Sequence, residues 1–217
     1  MRFVSILVVF LLFVAPSKGQ AIRYDLMELA QQKKIKTFNR VLSVASDGNI
    51  KGIHLSAHEN DGVAWVEGLE FADGTSELDI KGKDVLQQSF LGVAFHGADE
   101  KILDVVYFRP FNFRATDSVR RIHAVQYVSH PDFPWPTLRE KFNGKYEKAI
   151  IPPPDPNTWF HVKIVVAYPN VTVFVNGNSK PSLTVEQLSK RKTGKLGVWV
   201  GNGSDGDFAN LVIQKMK

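Results

Sequence analysis

Apolar and polar residues alternate with a period of two over most of this chain, which is typical of β-strands that bury one face. The alternation is clearest in the last third, where Asn176-Gly177 marks a tight hairpin turn. Strands are predicted at residues 41–45, 52–57, 63–66, 77–81, 91–95, 104–108, 121–128, 159–167, 171–175, 197–200 and 208–214. About nine to twelve short strands with regular turns predict an all-β fold, an antiparallel β-sandwich of two sheets.

Two of these strands have two contrasting faces. In residues 77–81, the apolar Leu78 and Ile80 alternate with the charged Glu77, Asp79 and Lys81. These three residues form what we call the charged face. In residues 91–95, the small residues at 92 and 94 share one face and the large apolar residues share the other. Small residues beside charged and aromatic ones favour the floor of a groove, although a solvated sheet face gives the same pattern.

Two segments depart from the strand pattern. Residues 21–36 have the apolar spacing of a short amphipathic helix, with Asp25 as a possible N-cap. The insertion at residues 130–146 contains three prolines and four aromatic residues, and one helical turn is predicted at 137–142. Long loops inside compact domains tend to be functional, so the insertion is a candidate part of a site.

The first nineteen residues predict a secretory signal peptide. Arg2 is followed by an apolar run at 4–14, and Ser17-Lys18-Gly19 ends in the small residue that a signal peptidase requires. The apolar run is shorter than the roughly 20 residues of a membrane span, so no transmembrane span is predicted. Residues 20–217 are then expected to form one domain of a secreted or periplasmic protein. The chain has no Cys, so its stability rests on a core, and a bacterial source is favoured.

Charge excludes one class of partner. The formal charge of +5 falls by two when Arg2 and Lys18 are removed with the signal, and the remaining basic residues are scattered along the chain. Because nucleic-acid-binding domains concentrate Lys and Arg on one face, no nucleic-acid partner is expected.

A ligand groove is predicted from strand parity. Tyr107, Arg109, His123 and Tyr127 fall on one strand face by the same parity as the charged face of residues 77–81. If these strands are neighbours, aromatic and polar groups line one groove. Sugars bind by stacking on aromatic rings and by directional hydrogen bonds, and both ingredients are present. The alternative is that these are ordinary packing residues with outward polar tips.

Two further residues complete the predicted binding set. Gln126 falls on the apolar side of its strand, so it is either buried with hydrogen-bond partners or re-aimed by a bulge. Trp135, in the insertion, is placed to fold over the groove. The predicted function is carbohydrate binding, with a glycan as the partner.

A family resemblance supports the fold. The order of strand, hairpin, strand with Gly and Trp, Gly-rich loop and closing strand resembles the concanavalin A-like lectin/glucanase superfamily and, within it, laminin G-like jelly rolls. The matching runs are residues 159–164, 171–177, 194–201 and 206–211. The middle of the chain resembles an uncharacterised bacterial branch of that superfamily, through residues 62–65, 71–82, 89–97, 106–113, 123–127 and the Pro131, Trp135, Leu138-Arg139 run. The resemblance implies a jelly roll, and laminin G-like members leave open a second alternative, a protein-interaction module.

The resemblance also raises a hydrolase alternative. In laminarinase-like members, one strand carries Glu, Asp and Glu at alternate positions, as nucleophile, assisting residue and acid/base. Glu77 and Asp79 match the first two positions, but Lys81 stands where the last carboxylate is required. A retaining glycosidase needs two carboxyl groups about 5–5.5 Å apart, one of them a proton donor. Glucanase-type hydrolysis is therefore disfavoured, and an atypical glycan-cleaving site stays as the alternative.

A metal site is only weakly indicated. Asp205 and Asp207 lie in a Gly-rich loop, and calcium prefers such oxygen ligands. Superfamily members often carry calcium, but the spacing matches no dedicated loop, so a turn is the favoured interpretation. No other cofactor is predicted.

Overall fold

A computed structural model describes residues 19–216, so the predicted signal peptide falls almost wholly outside the described residues. Within that range the chain forms fifteen strands and four short helices. The helices are α1 (Leu26–Gln31), α2 (Pro110–Phe113), α3 (Ser118–Arg121) and α4 (Trp135–Lys141). None of these described helices has the length and apolar character that a bilayer crossing requires.

All described strands belong to two antiparallel sheets. Sheet A has eight strands in the order β13-β12-β11-β6-β15-β4-β3, with β1 paired to β15. Its strands are β1 (Ala21–Tyr24), β3 (Leu42–Asp47), β4 (Ile50–Leu55), β6 (Gly74–Lys81), β11 (Phe160–Ala167), β12 (Asn170–Val175), β13 (Leu183–Glu186) and β15 (Gly206–Lys215).

Sheet B has seven strands in the order β10-β9-β8-β7-β14-β5-β2. They are β2 (Ile35–Phe38), β5 (Gly62–Phe71), β7 (Leu91–Gly97), β8 (Leu103–Phe108), β9 (Val125–His130), β10 (Glu147–Lys148) and β14 (Gly194–Val200). The predicted all-β, two-sheet antiparallel sandwich with a short N-terminal helix is confirmed.

The core lies between the two sheets. Phe160 of sheet A contacts Phe108 of sheet B and Phe113 of α2, with ring centroids 5.3 and 5.2 Å apart. Each such ring is fully buried, which contributes roughly 1.5–3 kcal/mol of hydrophobic stabilisation. These contacts define the inner face of each sheet, and strand parity then assigns every other side chain to an inner or an outer face.

The outer faces of the two sheets differ. In sheet A, buried and half-exposed residues alternate strictly along β11, as expected of a sheet with one solvated face. In sheet B, every residue of β7 and β8 is buried. Connecting segments therefore cover the outer face of sheet B, and they also build the candidate site.

Two element predictions were inaccurate. The predicted helix at 21–36 is confined to α1, with strands on both sides, although Asp25 does cap it by accepting a hydrogen bond from the backbone N–H of Glu28 (3.0 Å). The strand predicted at 121–128 is wrong at its start, because Asp117 caps the short helix α3 and β9 begins only at Val125.

Candidate functional site

One row of cross-strand partners crosses the outer face of sheet B. Following the register from β14 to β10, the row is Trp199, Gly92, Tyr107, Gln126 and Glu147. Tyr107 has its ring centroid 5.2 Å from that of Trp199 and donates a hydrogen bond through its hydroxyl to Gln126 Oε1 (2.7 Å). Burial raises the pKa of Tyr107 to about 12, so this hydroxyl stays protonated and remains a donor at neutral pH.

Arg109 lies over this row. It follows the end of β8, and its guanidinium is 4.8 Å from the ring centroid of Tyr107. Nη2 donates to the Tyr107 hydroxyl (2.6 Å) and to Gln126 Oε1, while Nη1 donates to the backbone carbonyl of His123 (2.8 Å). Arg109 is only 4% exposed, so these bonds fix a positive charge at the base of the site.

Glu147 contacts three basic side chains of this region, those of Arg139, His123 and Arg109. Its side chain is 2% exposed and accepts two hydrogen bonds from Arg139, at 3.2 and 3.1 Å. Glu147 Oε2 also lies 2.7 Å from His123 Nδ1 and 3.6 Å from Arg109 Nη1. Burial alone would raise the pKa of Glu147, but the hydrogen bond and charge of Arg139, with the charges of His123 and Arg109, lower it below its usual value.

His123 has the opposite balance. Burial lowers its pKa, and the neighbouring Arg139 and Arg109 reinforce that effect, while Glu147 opposes it.

A cavity of about 590 Å³ opens above this network. Its apolar lining comes from four aromatic residues and one leucine: Phe90, Tyr107, Phe111, Trp135 and Leu86. Its polar lining is Asp61, Gln87, Arg109, Asn112, Arg120, His123, Arg139 and Asn202, with the backbone of Gly201. A concave space with aromatic walls and a few fixed polar groups is the usual form of a small-molecule site.

Trp135 lies at the edge of the cavity. It is the first residue of α4 and is 50% exposed. The Arg139 guanidinium, one helical turn later, lies 5.0 Å from the indole centroid. The contact between residues four apart fixes the indole and links it through Arg139 to the buried Glu147.

The charged face lies elsewhere. Glu77, Asp79 and Lys81 are on the outer face of sheet A, because Leu78 and Ile80 between them point into the core. The single groove predicted from strand parity is therefore wrong: its two halves lie on opposite outer faces of the sandwich. Parity places residues on a face of their own sheet and does not say which sheet that is.

On sheet A the charged face is occupied by ion pairs. Asp79 Oδ1 lies 2.8 Å from His161 Nδ1, and Glu77 Oε2 lies 3.3 Å from His161 Nε2. Glu77 also pairs with Lys163 (3.1 Å), and Lys81 pairs with Asp47 (2.6 Å). A smaller cavity of about 350 Å³ borders Glu77, His161 and Lys163. Both predicted hydrolase carboxylates are therefore engaged by a histidine on the sheet opposite the larger cavity.

Tyr127 also lies away from the cavity. It points into the sandwich, where it is fully buried and donates a hydrogen bond to Asp104 Oδ1 (2.6 Å). Burial and the Asp104 charge raise its pKa. The prediction that it shares the face of Tyr107 is wrong, since Gln126 takes the outer position of β9 and Tyr127 the inner one.

The weakly indicated metal ligands have separate partners. Asp205 pairs with Lys83 (2.8 Å), and Asp207 lies 2.6 Å from His54 Nδ1. Among residues 19–216, no three His, Cys, Asp or Glu side chains are grouped so as to hold a metal ion. Calcium binding stays a prediction.

Several residues of the cavity were not predicted as site residues. Arg139 belongs to the insertion, Arg120 lies in α3, a helix that was not predicted, and Asp61 lies in a loop. Glu147, which lies beneath the cavity lining, follows the insertion. Among them, only Arg139 belongs to a run that resembles the family in sequence. No periodic signal marks these positions, because their convergence depends on how the connections fold over sheet B.

The fold has known counterparts, although no protein-family model and no curated protein matches the chain. It is similar to the carbohydrate-binding module CBM66 from Bacillus subtilis, with 16% identity and a TM-score of 0.60 over 84% of this chain and 96% of that one. It is also similar to a Bacillus subtilis protein of unknown function with a galectin-like fold, with 14% identity and a TM-score of 0.61 over 93% of this chain and 98% of that one. A third counterpart is domain 4 of AbnA, a GH43 extracellular arabinanase from Geobacillus stearothermophilus, in complex with arabinotriose. The identity is 12% and the TM-score is 0.53, over 92% of this chain and 94% of that one.

At these identities the similarity shows the fold alone. The jelly-roll β-sandwich that the sequence resemblance implied is confirmed, and these three counterparts share that fold. The closer likeness to laminin G-like domains stays a prediction.

Proposed function

We propose that this protein is a secreted or periplasmic carbohydrate-binding protein whose ligand occupies the cavity on the outer face of sheet B. The observation that carries the proposal is the convergence of Trp135, Tyr107 and Arg109 on one cavity of about 590 Å³. Two structural counterparts support the same class, since one is a carbohydrate-binding module and the other is a domain in complex with arabinotriose.

The chemistry of the lining suits a sugar. The half-exposed indole of Trp135 offers a flat apolar surface on which the C–H face of a pyranose or furanose ring stacks. Asp61, Asn202 and Asn112 offer donors and acceptors for hydroxyl groups. Buried polar groups that already have partners, such as Arg109, keep the shape of the cavity fixed before the ligand arrives, which lowers the entropy lost on binding.

Hydrolysis by the predicted carboxylate pair is not part of the proposal. Glu77 and Asp79 both contact His161 on sheet A, away from the aromatic cavity. A ligand stacked on Trp135 therefore has no access to them.

The proposal is tested by glycan binding without turnover. The wild-type protein is applied to a glycan array, its best ligand is titrated by calorimetry, and release of reducing sugar is measured in parallel. We expect binding without product. Replacing Trp135→Ala removes the stacking surface and should weaken binding by about tenfold or more, which corresponds to about 1.4 kcal/mol.

The matched control is Trp159→Ala. Trp159 is a partly exposed indole that donates a hydrogen bond to Asp47 (3.0 Å) and lies outside the cavity lining. Its replacement should leave glycan affinity unchanged. If no glycan binds, or if Trp135→Ala keeps the wild-type affinity, the proposed function is wrong. A protein partner captured with no glycan signal would instead favour the interaction-module alternative.

A further inference from the structure

We infer that the glycan carries a carboxylate, as a uronic acid does, and that Arg120 and Arg139 receive it. This inference rests on the proposed function of the cavity and names the ligand class. Three features of the described residues support it: the charge balance of one cavity wall, the free edges of two guanidinium groups, and the position of the aromatic platform beside them.

The wall formed by α2, α3 and α4 has an excess of positive charge. Arg109, Arg120 and Arg139 all line the cavity, and one carboxylate, Glu147, serves two of them. Arg120 has no carboxylate within 4.0 Å among residues 19–216. On this wall, three guanidinium groups therefore share a single carboxylate.

The one acidic residue of the cavity lining, Asp61, does not cancel this excess. Asp61 lies 3.9 Å from His130 Nε2 and also experiences the charge of Arg40. Arg40 is itself buried and donates only to backbone carbonyl groups, including those of Asn60 and Gly201. Glu147 and Asp61 therefore each have at least one positively charged neighbour other than Arg120. The charge of Arg120 is not balanced by either carboxylate.

Both receiving arginines are held in place with one edge unused. Arg120 donates through Nη2 to the Phe111 carbonyl (2.6 Å) and through Nε to Asn112 Oδ1 (3.2 Å). Arg139 uses Nε and Nη2 on Glu147. In both residues Nη1 makes no hydrogen bond within the described part of the chain. Guanidinium groups that are already oriented lose little entropy when they bind a ligand.

A carboxylate suits this arrangement better than a neutral hydroxyl group. The two coplanar oxygens of a carboxylate accept from the planar donors of guanidinium, and such charge-assisted bonds are about twice as strong as neutral ones. In a uronic acid the carboxylate is attached directly to the sugar ring. A ring stacked on the exposed part of Trp135 shares the cavity with Arg139, whose guanidinium lies 5.0 Å from the indole centroid, so a carboxylate on that ring has a cation within the same lining.

The inference is tested with matched charged and uncharged ligands. The probes are a trigalacturonate, its fully methyl-esterified form and a sulfated oligosaccharide of the same length, titrated at about 20 mM and about 500 mM salt to vary screening. We expect the trigalacturonate to bind at least about tenfold more tightly than its ester at low salt, with the preference reduced at high salt.

Arg120→Gln removes the leftover charge and should lower affinity for the trigalacturonate about tenfold more than it lowers affinity for the ester. The matched control is Arg121→Gln. Arg121 is the next residue of α3, bonds only to the carbonyl groups of Ala115 and Thr116, and lies outside the cavity lining. It should not change either affinity, and it reports any general loss of positive charge from α3.

The outcomes separate the two proposals. If neutral glycans bind as tightly as uronates, or if Arg120→Gln weakens both ligands equally, the inference is wrong and the proposed function stands. A preference for the sulfated ligand over the carboxylated one also overturns it. If no glycan of either charge binds, the proposed function itself is wrong.

Discussion

The outer faces of the two sheets carry the same types of ionisable side chain in very different surroundings. On sheet A, Glu77 and Asp79 flank His161, and all three side chains keep between 22% and 40% of their surface exposed. On sheet B, Glu147 contacts His123 and Arg139 with only 2% of its own surface exposed. The difference arises from the connections, because helices α2 and α4 and the segment before β7 cover sheet B but leave sheet A open.

This contrast indicates which cluster is built for function. Exposed ion pairs contribute about 0–1 kcal/mol each and occur on many sheet surfaces. A buried carboxylate that serves several cations has a large desolvation penalty, and such clusters concentrate at functional sites, although structural networks also form them. The aromatic cavity above Glu147 is the second, independent feature that sheet A lacks in this form.

The largest expected effect comes from Glu147→Gln. The change leaves Arg109 and Arg139 without their shared buried carboxylate, and removing one partner of a buried pair typically destabilises a protein by about 3–5 kcal/mol. Urea denaturation followed by tryptophan fluorescence measures the free energy of unfolding. The matched change on sheet A, Glu77→Gln, should lower it by less than about 1 kcal/mol. Equal losses in the two variants would mean that the two faces do not differ energetically.

Sequence predicted the sandwich well because its strands have a simple period. The alternation in residues 159–167 and the Asn176-Gly177 turn both have the expected structure, with positive φ at both turn residues. The site was predicted only in part. Tyr107, Arg109, His123 and Trp135 do line one cavity, and Gln126 is buried beneath them, where its Oε1 accepts hydrogen bonds from Tyr107 and Arg109.

What was missed has a physical reason. A period of two assigns a residue to one of two faces, but it does not identify the sheet, so the charged face of residues 77–81 was joined to the wrong neighbours. A second ambiguity, the register between the neighbouring strands β8 and β9, explains the error at Tyr127: Tyr107 pairs with Gln126, so Tyr127 points inward and donates its hydroxyl to the buried Asp104. Glu147, Arg120 and Asp61 come from short or irregular segments that have no period at all.

The next largest expected effect is on stability. The contributions of His161 on sheet A and His123 on sheet B to the free energy of unfolding should change with pH in opposite directions. The hydrogen bond to Asp79 raises the pKa of His161 despite partial burial, whereas burial lowers the pKa of His123. The pKa of an unfolded histidine is about 6.5. The contribution of His161 to stability is therefore complete below about pH 6.5 and is lost as pH rises through its folded pKa. For His123, stability is lost instead as pH falls below about 6.5 towards its folded pKa.

The test measures the free energy of unfolding of the wild type, His161→Gln and His123→Gln between about pH 5 and 9, across the range in which histidine titrates. His161→Gln should destabilise more at pH 5.5 than at pH 9, by about 1 kcal/mol or less because the pair is partly exposed. His123→Gln should show the reverse slope, since it removes a group that resists protonation. If both variants have the same slope, the two histidines do not differ as their surroundings require.

The smallest expected effect is on glycan affinity, for the double variant Glu77→Gln with Asp79→Asn. These side chains lie on the outer face of sheet A, and the two sheets of a sandwich are themselves about 10 Å apart. At physiological salt the screening length is about 8 Å, so their charges should change the electrostatic potential in the cavity on sheet B very little. Calorimetry of the best glycan ligand should give an affinity within about twofold of wild type. A loss of about tenfold would mean instead that the charged face takes part in binding, and the separation of a supporting face from a binding face would then be wrong.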